Sequence, residues 1–104
     1  MSTQDAIMVA KKFVRLVGEK YPIEKAYLFG SFAKNKADEA SDIDVCIVSP
    51  AFGTDHWEKE SELRKLSLEV DYRLSPVAFG PEDIKDRWSQ LAHEITTHGI
   101  KLQI

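Results

Sequence analysis

Apolar positions recur at helical spacing at the start of the chain, where Ile7, Ala10, Val14 and Val17 form one stripe that Phe13 and Leu16 widen. Ser2 or Thr3 can cap this segment, and Gly18 and Pro22 end it. The pattern predicts a helix from about Ser2 to Lys20 whose role is packing. The period then shortens. Ile23 to Phe29 is an apolar run stopped by Gly30, and Asp42 to Val48 is a β-branched run bounded by Ser49-Pro50. Both predict strands. In the second, Ile43, Val45 and Ile47 share one face, and Asp42, Asp44 and Cys46 share the other. Between the two strands, Ser31 to about Lys34 predicts a helical turn and Lys36 to Ser41 a polar, acidic loop.

A highly charged helix is predicted from about His56 to Lys65, with Asp55 and Glu58 spaced as a capping box. From Leu66 to Leu74 the alternation predicts a third strand. Leu66, Leu68, Val70, Tyr72 and Leu74 take one face, and Ser67, Glu69, Asp71 and Arg73 take the other. Ser75 to Gly80 reads as a turn that passes through an extended piece at Val77 to Phe79. Gly80-Pro81-Glu82-Asp83 starts a further helix with the apolar stripe Ile84, Trp88, Leu91 and Ile95. Gly99 caps that helix, and Ile100 to Ile104 predicts an edge strand. The order α-β-β-α-β-α-β implies an α/β (α+β) fold, a small mixed sheet with helices on one face and the other face open.

Composition narrows the class. A chain of 104 residues, 43% hydrophobic and 30% charged, suits one globular domain spanning 1–104. Its net charge of −3 argues against a dedicated nucleic-acid binder, so no direct nucleic-acid contact is expected. No apolar run approaches the ~18 residues of a membrane span. Asp5, Lys11, Lys12 and Arg15 break up the apolar residues of the N-terminus, which excludes a signal peptide. The single cysteine, Cys46, rules out an internal disulfide framework and reads as a buried structural thiol. A cytoplasmic location is expected.

The candidate chemistry lies between Tyr27 and Val48. Aspartate is depleted in strands, and two like charges on one strand face repel unless a cation lies between them. Asp42 and Asp44 together therefore point to a hard divalent cation such as Mg²⁺. A third acid on a neighbouring strand would complete a two-metal site. Asp71 or Glu69 can supply it, with Asp71 preferred. Gly30 allows the backbone to approach a phosphate closely, the Ser31 hydroxyl and the amides after it can donate to phosphate oxygens, and Lys34 and Lys36 can offset triphosphate charge, with solvated loop lysines the plainer reading of both. His56, His93 and His98 show no metal-ligand spacing with a carboxylate, and Trp57 and Trp88 read as packing residues.

Gly30-Ser31, ten residues, and then Asp42-Ile43-Asp44 resembles the Gly-Ser-x10-Asp-x-Asp signature of the DNA polymerase β nucleotidyltransferase superfamily. Leu28-Phe29, Ser41 and the ending His93-Glu94-Ile95 to Gly99-Ile100-Lys101-Leu102 are similar to the minimal, free-standing members. The resemblance implies a polymerase β-like nucleotidyltransferase fold in which Gly30, Ser31 and Lys34 bind the nucleotide. Asp42, Asp44 and Asp71 would be both catalytic residues and ligands of two Mg²⁺ ions, with ATP as substrate. It further implies an MntA-type antitoxin that adds AMP to a hydroxyl of a HEPN-domain partner and silences it, as a homo- or hetero-oligomer.

Two positions depart from the family pattern. Phe32 stands where arginine is common, and Asn35 stands where glycine is common, although Asn tolerates the left-handed conformation that glycine would serve. A different class of function is also compatible with the residues: a non-catalytic module that binds nucleotide or partner and neutralises the partner by occlusion. A small-molecule transferase of the aminoglycoside kind fits less well, because those enzymes usually add a second domain for the acceptor.

Overall fold

The computed structural model describes residues 1–53 and 56–103. Asp55, the expected cap of the second helix, and Ile104 lie outside them. Helix α1 (Thr3–Gly18) begins at Ser2, whose hydroxyl accepts from the Asp5 amide while the Ser2 amide donates to the Asp5 carboxylate, both at 3.1 Å. Of the expected stripe, Ala10, Phe13, Val14 and Val17 are buried, joined by Ala6, while Ile7 and Leu16 are only partly buried.

Four strands form one sheet in the order β3-β2-β1-β4: β1 Lys25–Phe29, β2 Ile43–Val48, β3 Leu74–Phe79 and β4 Ile100–Lys101. β1 pairs antiparallel with β2, so that Phe29 opposes Asp44, and antiparallel with β4 on its other side. β2 pairs parallel with β3, so that Ile43 opposes Leu74 and Asp44 opposes Ser75. Helices α2 (His56–Ser67), α3 (Pro81–Ile84) and α4 (Gln90–His98) complete the architecture, with a 3₁₀ turn at Pro50–Phe52.

The third strand lies further along the chain than the alternation from Leu66 to Leu74 suggests. Helix α2 runs through Ser67, and turns with bonds such as Asp71 N–H to Ser67 C=O (2.9 Å) carry the chain to Arg73. Leu63, Leu66 and Val70 are spaced three and four apart and pack on the core, as a helix requires. Leu68 and Tyr72, which fitted the strand period, are exposed. The strand occupies Leu74–Phe79 instead. Its Pro76 lacks a ladder donor and is tolerated because β3 is an edge strand.

The sheet is covered on both faces, where helices were expected on one. Ala26, Leu28, Ile43, Val45, Ile47, Leu74 and Ala78 meet α1, Leu63 and Phe52. The alternate residues Phe29, Cys46, Val48 and Phe79 form a second cluster with Ile84, Ala92 and Ile95 from α3 and α4. One continuous helix from Gly80 to Gly99 does not form. Asp86 accepts the Trp88 amide and Ser89 caps α4, which breaks the stripe, so Ile84 and Ile95 are buried while Trp88 is 87% exposed. Trp57 is 88% exposed as well, so neither tryptophan has the packing role expected of it. Among the described residues no helix is long and apolar enough to cross a membrane.

Candidate active site

β1 finishes beside the starts of β2 and β3. Gly30 turns the chain there with φ +74°, a conformation an L side chain adopts only at a cost. It does so directly over Asp44: a Cβ on Gly30 would lie 2.2 Å from Asp44 Oδ2. From Gly30 the chain winds into a helical turn, with Lys34 N–H donating to Gly30 C=O (3.2 Å) and Lys36 N–H to Ser31 C=O (2.9 Å). The first amides of such a turn have no acceptor within it and face outward. Asn35 adopts φ +58°, the left-handed conformation expected of it.

Phe32, the departure from the arginine, is buried in the first-face core, and its carbonyl accepts from Thr3 Oγ1 at 3.3 Å. The side chain anchors the turn onto α1, so the turn is fixed from behind by packing. That anchoring role had no signature in the sequence beyond an apolar residue in a polar loop.

The carboxylate pair comes together as the alternation requires. Asp38 and Ser41 close a small turn, with Asp38 N–H to Ser41 Oγ at 2.9 Å, and deliver Asp42 to the head of β2. Asp42 is exposed and Asp44 is partly buried. Burial, and then the Asp42 charge, push the Asp44 carboxyl up to about 6. A cation between the two carboxylates would relieve both causes. The donor set fits Mg²⁺, which is commonly held by one or two carboxylates together with substrate phosphates.

Asp71 is placed elsewhere. It lies in the turn before β3, not on a strand, and accepts from Arg73 three times: Nε at 2.9 Å, Nη2 at 2.7 Å and the backbone amide at 2.9 Å. The guanidinium hydrogen bonds hold the Asp71 carboxyl below the usual carboxylate range. Glu69 is exposed in the same turn. Among the described residues, no group of three His, Cys, Asp or Glu side chains gathers as a metal site. Asp42 and Asp44 are therefore brought together and Asp71 is not. Opposite Asp44 on β3 the register places Ser75.

Ser31 is partly buried beside Gly30. Lys34 reaches α4, where its ammonium pairs with the Glu94 carboxylate. Lys34, Lys36 and His98 border a hollow of about 390 Å³ between the turn and the end of α4. Cys46 follows the aspartates on their face but is fully buried, and burial pushes its thiol well up, as befits a structural residue.

A glycine turn pressed against a carboxylate pair at one end of a mixed sheet has parallels in known proteins. Two proposed protein adenylyltransferases of Methanocaldococcus jannaschii, MJ0126 and MJ1217, are 34% and 33% identical over 61 residues. Each match spans 59% of this chain and 55% of the relative, so the chain spans about half the length of the curated relatives it matches. Among solved structures, a proposed nucleotidyltransferase from Sulfolobus solfataricus superposes with a TM-score of 0.69 at 20% identity, over 95% of this chain and 80% of that one. A toxin–antitoxin complex with AMP-PNP superposes with a TM-score of 0.68 at 24% identity, over 90% and 72%. These establish the polymerase β-like fold. The nucleotidyltransferase domain family model matches residues 10–100, and the chain belongs to that family.

Proposed function

We propose that this domain is a Mg²⁺-dependent nucleotidyltransferase that moves AMP from ATP to a hydroxyl of a partner protein. The observation that carries this reading is the contact of Gly30 with Asp44, which sets the phosphate-binding turn against the carboxylate pair with no side chain between. The acceptor oxygen forms a bond to the α-phosphorus, the bond from that phosphorus to the bridging oxygen breaks, and pyrophosphate leaves. A carboxylate of the pair takes up the hydroxyl proton. Gly30, Ser31 and Lys34 bind and orient the triphosphate, while Asp42 and Asp44 hold Mg²⁺, in the fuller form two ions. Bound there, Mg²⁺ supplies charge neutralisation at the phosphates. Asp71 serves by fixing Arg73.

A protein acceptor is supported by the relatives named as protein adenylyltransferases and by the solved MntA–HpeT toxin–antitoxin structure, 24% identical with a TM-score of 0.65. The reading extends to an antitoxin that adenylylates, and so silences, a HEPN-domain toxin in the cytoplasm. Incubation with labelled ATP, Mg²⁺ and the product of the adjacent gene tests it: wild type labels the partner, and Asp42→Asn/Asp44→Asn does not. Undiminished labelling by the double variant would sink the reading.

A second reading, silencing by occlusion alone, is favoured by Trp57 and Trp88, both almost fully exposed as in contact surfaces. Under it the double aspartate variant still neutralises the partner in cells.

A further inference from the structure

Helix α2 carries two stripes. On its inner side Leu63 and Ser67 are buried and Leu66 packs against the core. The opposite stripe is Trp57, Ser61, Arg64 and Leu68, spaced four, three and four apart, and all four are exposed. Leu68 belongs to it because its amide donates to the Arg64 carbonyl at 3.3 Å, which carries the helical path past Ser67. Trp57 is 88% exposed and Leu68 65%, so this face holds a large apolar side chain in water at each end. Ser61, a small residue, stands between them.

Charge is divided along the same face. Glu58 and Glu60 lie in the first half of α2, and Arg64 and Lys65 lie in its last turn. Glu60 and Arg64 are four apart, a spacing that permits a pair within one helix. Among the described residues the ion pairs join Lys20 to Glu62, Lys34 to Glu94 and Arg73 to Asp71, and none engages Glu60, Arg64 or Lys65. Trp57, Glu60, Ser61 and Arg64 border a hollow of about 180 Å³. Four residues at that spacing form the hole that receives one side chain of a facing helix.

A second copy of α2 satisfies all three features. Laid antiparallel about an axis level with Glu62 and Leu63, it brings Trp57 of one copy to Leu68 of the other, Glu60 to Lys65, and Ser61 to Arg64. The Arg64 stem then enters the hollow over Ser61, with its guanidinium beside Trp57 and Glu60. A parallel copy would instead set Glu60 on Glu60 and Arg64 on Arg64. Aromatic side chains bury ~150–250 Å² each, so Trp57 and Leu68 with their polar flanks bring the pair to on the order of 1,000 Å², the low end for specific interfaces.

We propose that this face of α2 is the two-fold interface of a homodimer, closed by Trp57 on Leu68 and by Arg64 in the hollow beside Glu60. An interface of that size is weak, with a dissociation constant on the order of 100 μM. The dilute chain is therefore a monomer with Trp57 in water. The inference goes beyond the transfer reading and stands whether or not AMP is moved.

Sedimentation equilibrium of the full chain, loaded from about 5 to about 500 μM, tests it. Wild type should form a dimer and nothing larger, because a contact of this symmetry closes on itself. Trp57→Ala and Arg64→Glu should each raise the dissociation constant at least roughly tenfold. Trp88→Ala removes a similarly exposed indole outside α2 and should leave association unchanged. An equimolar mixture of Arg64→Glu and Glu60→Arg should restore the dimer that neither variant forms alone, since two acids then meet two bases across the axis. All the replaced side chains are exposed or partly so, and circular dichroism checks that the variants fold. A wild type that stays monomeric to the top of that range overturns the proposal. So does association indifferent to Trp57 and Arg64, a mixture that fails to pair, or a Trp57 shielded from quencher only when a different protein is added.

Discussion

Gly30 and Asp44 are in contact in a way that admits no third atom. The backbone passes over the carboxylate at φ +74°, and a methyl group on Gly30 would stand 2.2 Å from Asp44 Oδ2. The pairing of Phe29 with Asp44 fixes this approach, because Gly30 is the first residue past the ladder. The Gly30 turn and the carboxylate pair are thus one structural unit.

Gly30→Ala tests that unity. The left-handed backbone costs an L residue about 1–2 kcal/mol, and the clash forces Asp44 aside. The variant is expected to lose about that much stability in denaturant unfolding. Its AMP transfer should fall on the order of a hundredfold, the scale of removing one preorganised group. A rate within a few-fold of wild type would show that the contact does not matter to the chemistry.

Asp44 also gives the unliganded protein a pH dependence. In the folded chain it keeps its proton up to about pH 6, whereas unfolded aspartate loses it near 3.9. Between those values the folded state binds more protons, so this group's contribution to stability falls as pH rises through the window. Asp44→Asn is expected to flatten that slope and to stabilise the chain at pH 7–8, on the order of 1–2 kcal/mol after allowance for partial solvation. Added Mg²⁺ should stabilise wild type at pH 7 and leave Asp44→Asn nearly unmoved. Urea unfolding followed by circular dichroism reads both effects.

Much of this unit was legible because its signals are local. A glycine that ends an apolar run and two aspartates that open one each defy the propensity of their element. The helix stripe of α1 was legible for the same reason, as one unbroken period. Elsewhere two periods overlapped. Leu63, Leu66 and Val70 keep helical spacing while Leu66, Leu68 and Val70 keep strand spacing, and only the burial of Leu63 and the exposure of Leu68 decide between them. Pro76 disguised β3, since a central strand would reject it and only the sheet order shows that β3 lies at the edge. Phe32 and Glu94 gain their contacts from tertiary neighbours on α1 and the Gly30 turn, which no spacing along the chain encodes.

The displacement of β3 changes what Asp71 is expected to do. Its carboxylate is committed to Arg73 by a two-pronged pair, with only 14% of the Asp71 side chain exposed. Because the folded carboxyl titrates below its unfolded value, its stabilisation is present above about pH 4 and is lost as pH falls through the depressed value. Asp71→Asn should therefore destabilise the chain at neutral pH by about 1–2 kcal/mol and match wild type more closely at pH 3. AMP transfer is expected to fall less than about tenfold, and Arg73→Ala should behave alike. Abolition of transfer by Asp71→Asn with stability intact would mean that the carboxylate leaves Arg73 to join Asp42 and Asp44.

Both tryptophans stand in water, Trp57 at the start of α2 and Trp88 in the link between α3 and α4. Exposed indoles report little on the core, so intrinsic fluorescence of the isolated chain should emit at the solvated limit and be quenched fully by acrylamide. It should change little through an unfolding transition that circular dichroism shows to be cooperative. The same exposure makes the two residues sensitive to a docking protein. A partner that covers either one must shift the emission to the blue and protect it from quencher, with Trp57→Phe and Trp88→Phe identifying which. Partner binding with both indoles still fully quenched would remove these two residues from the interface and, with them, the observation that favours occlusion.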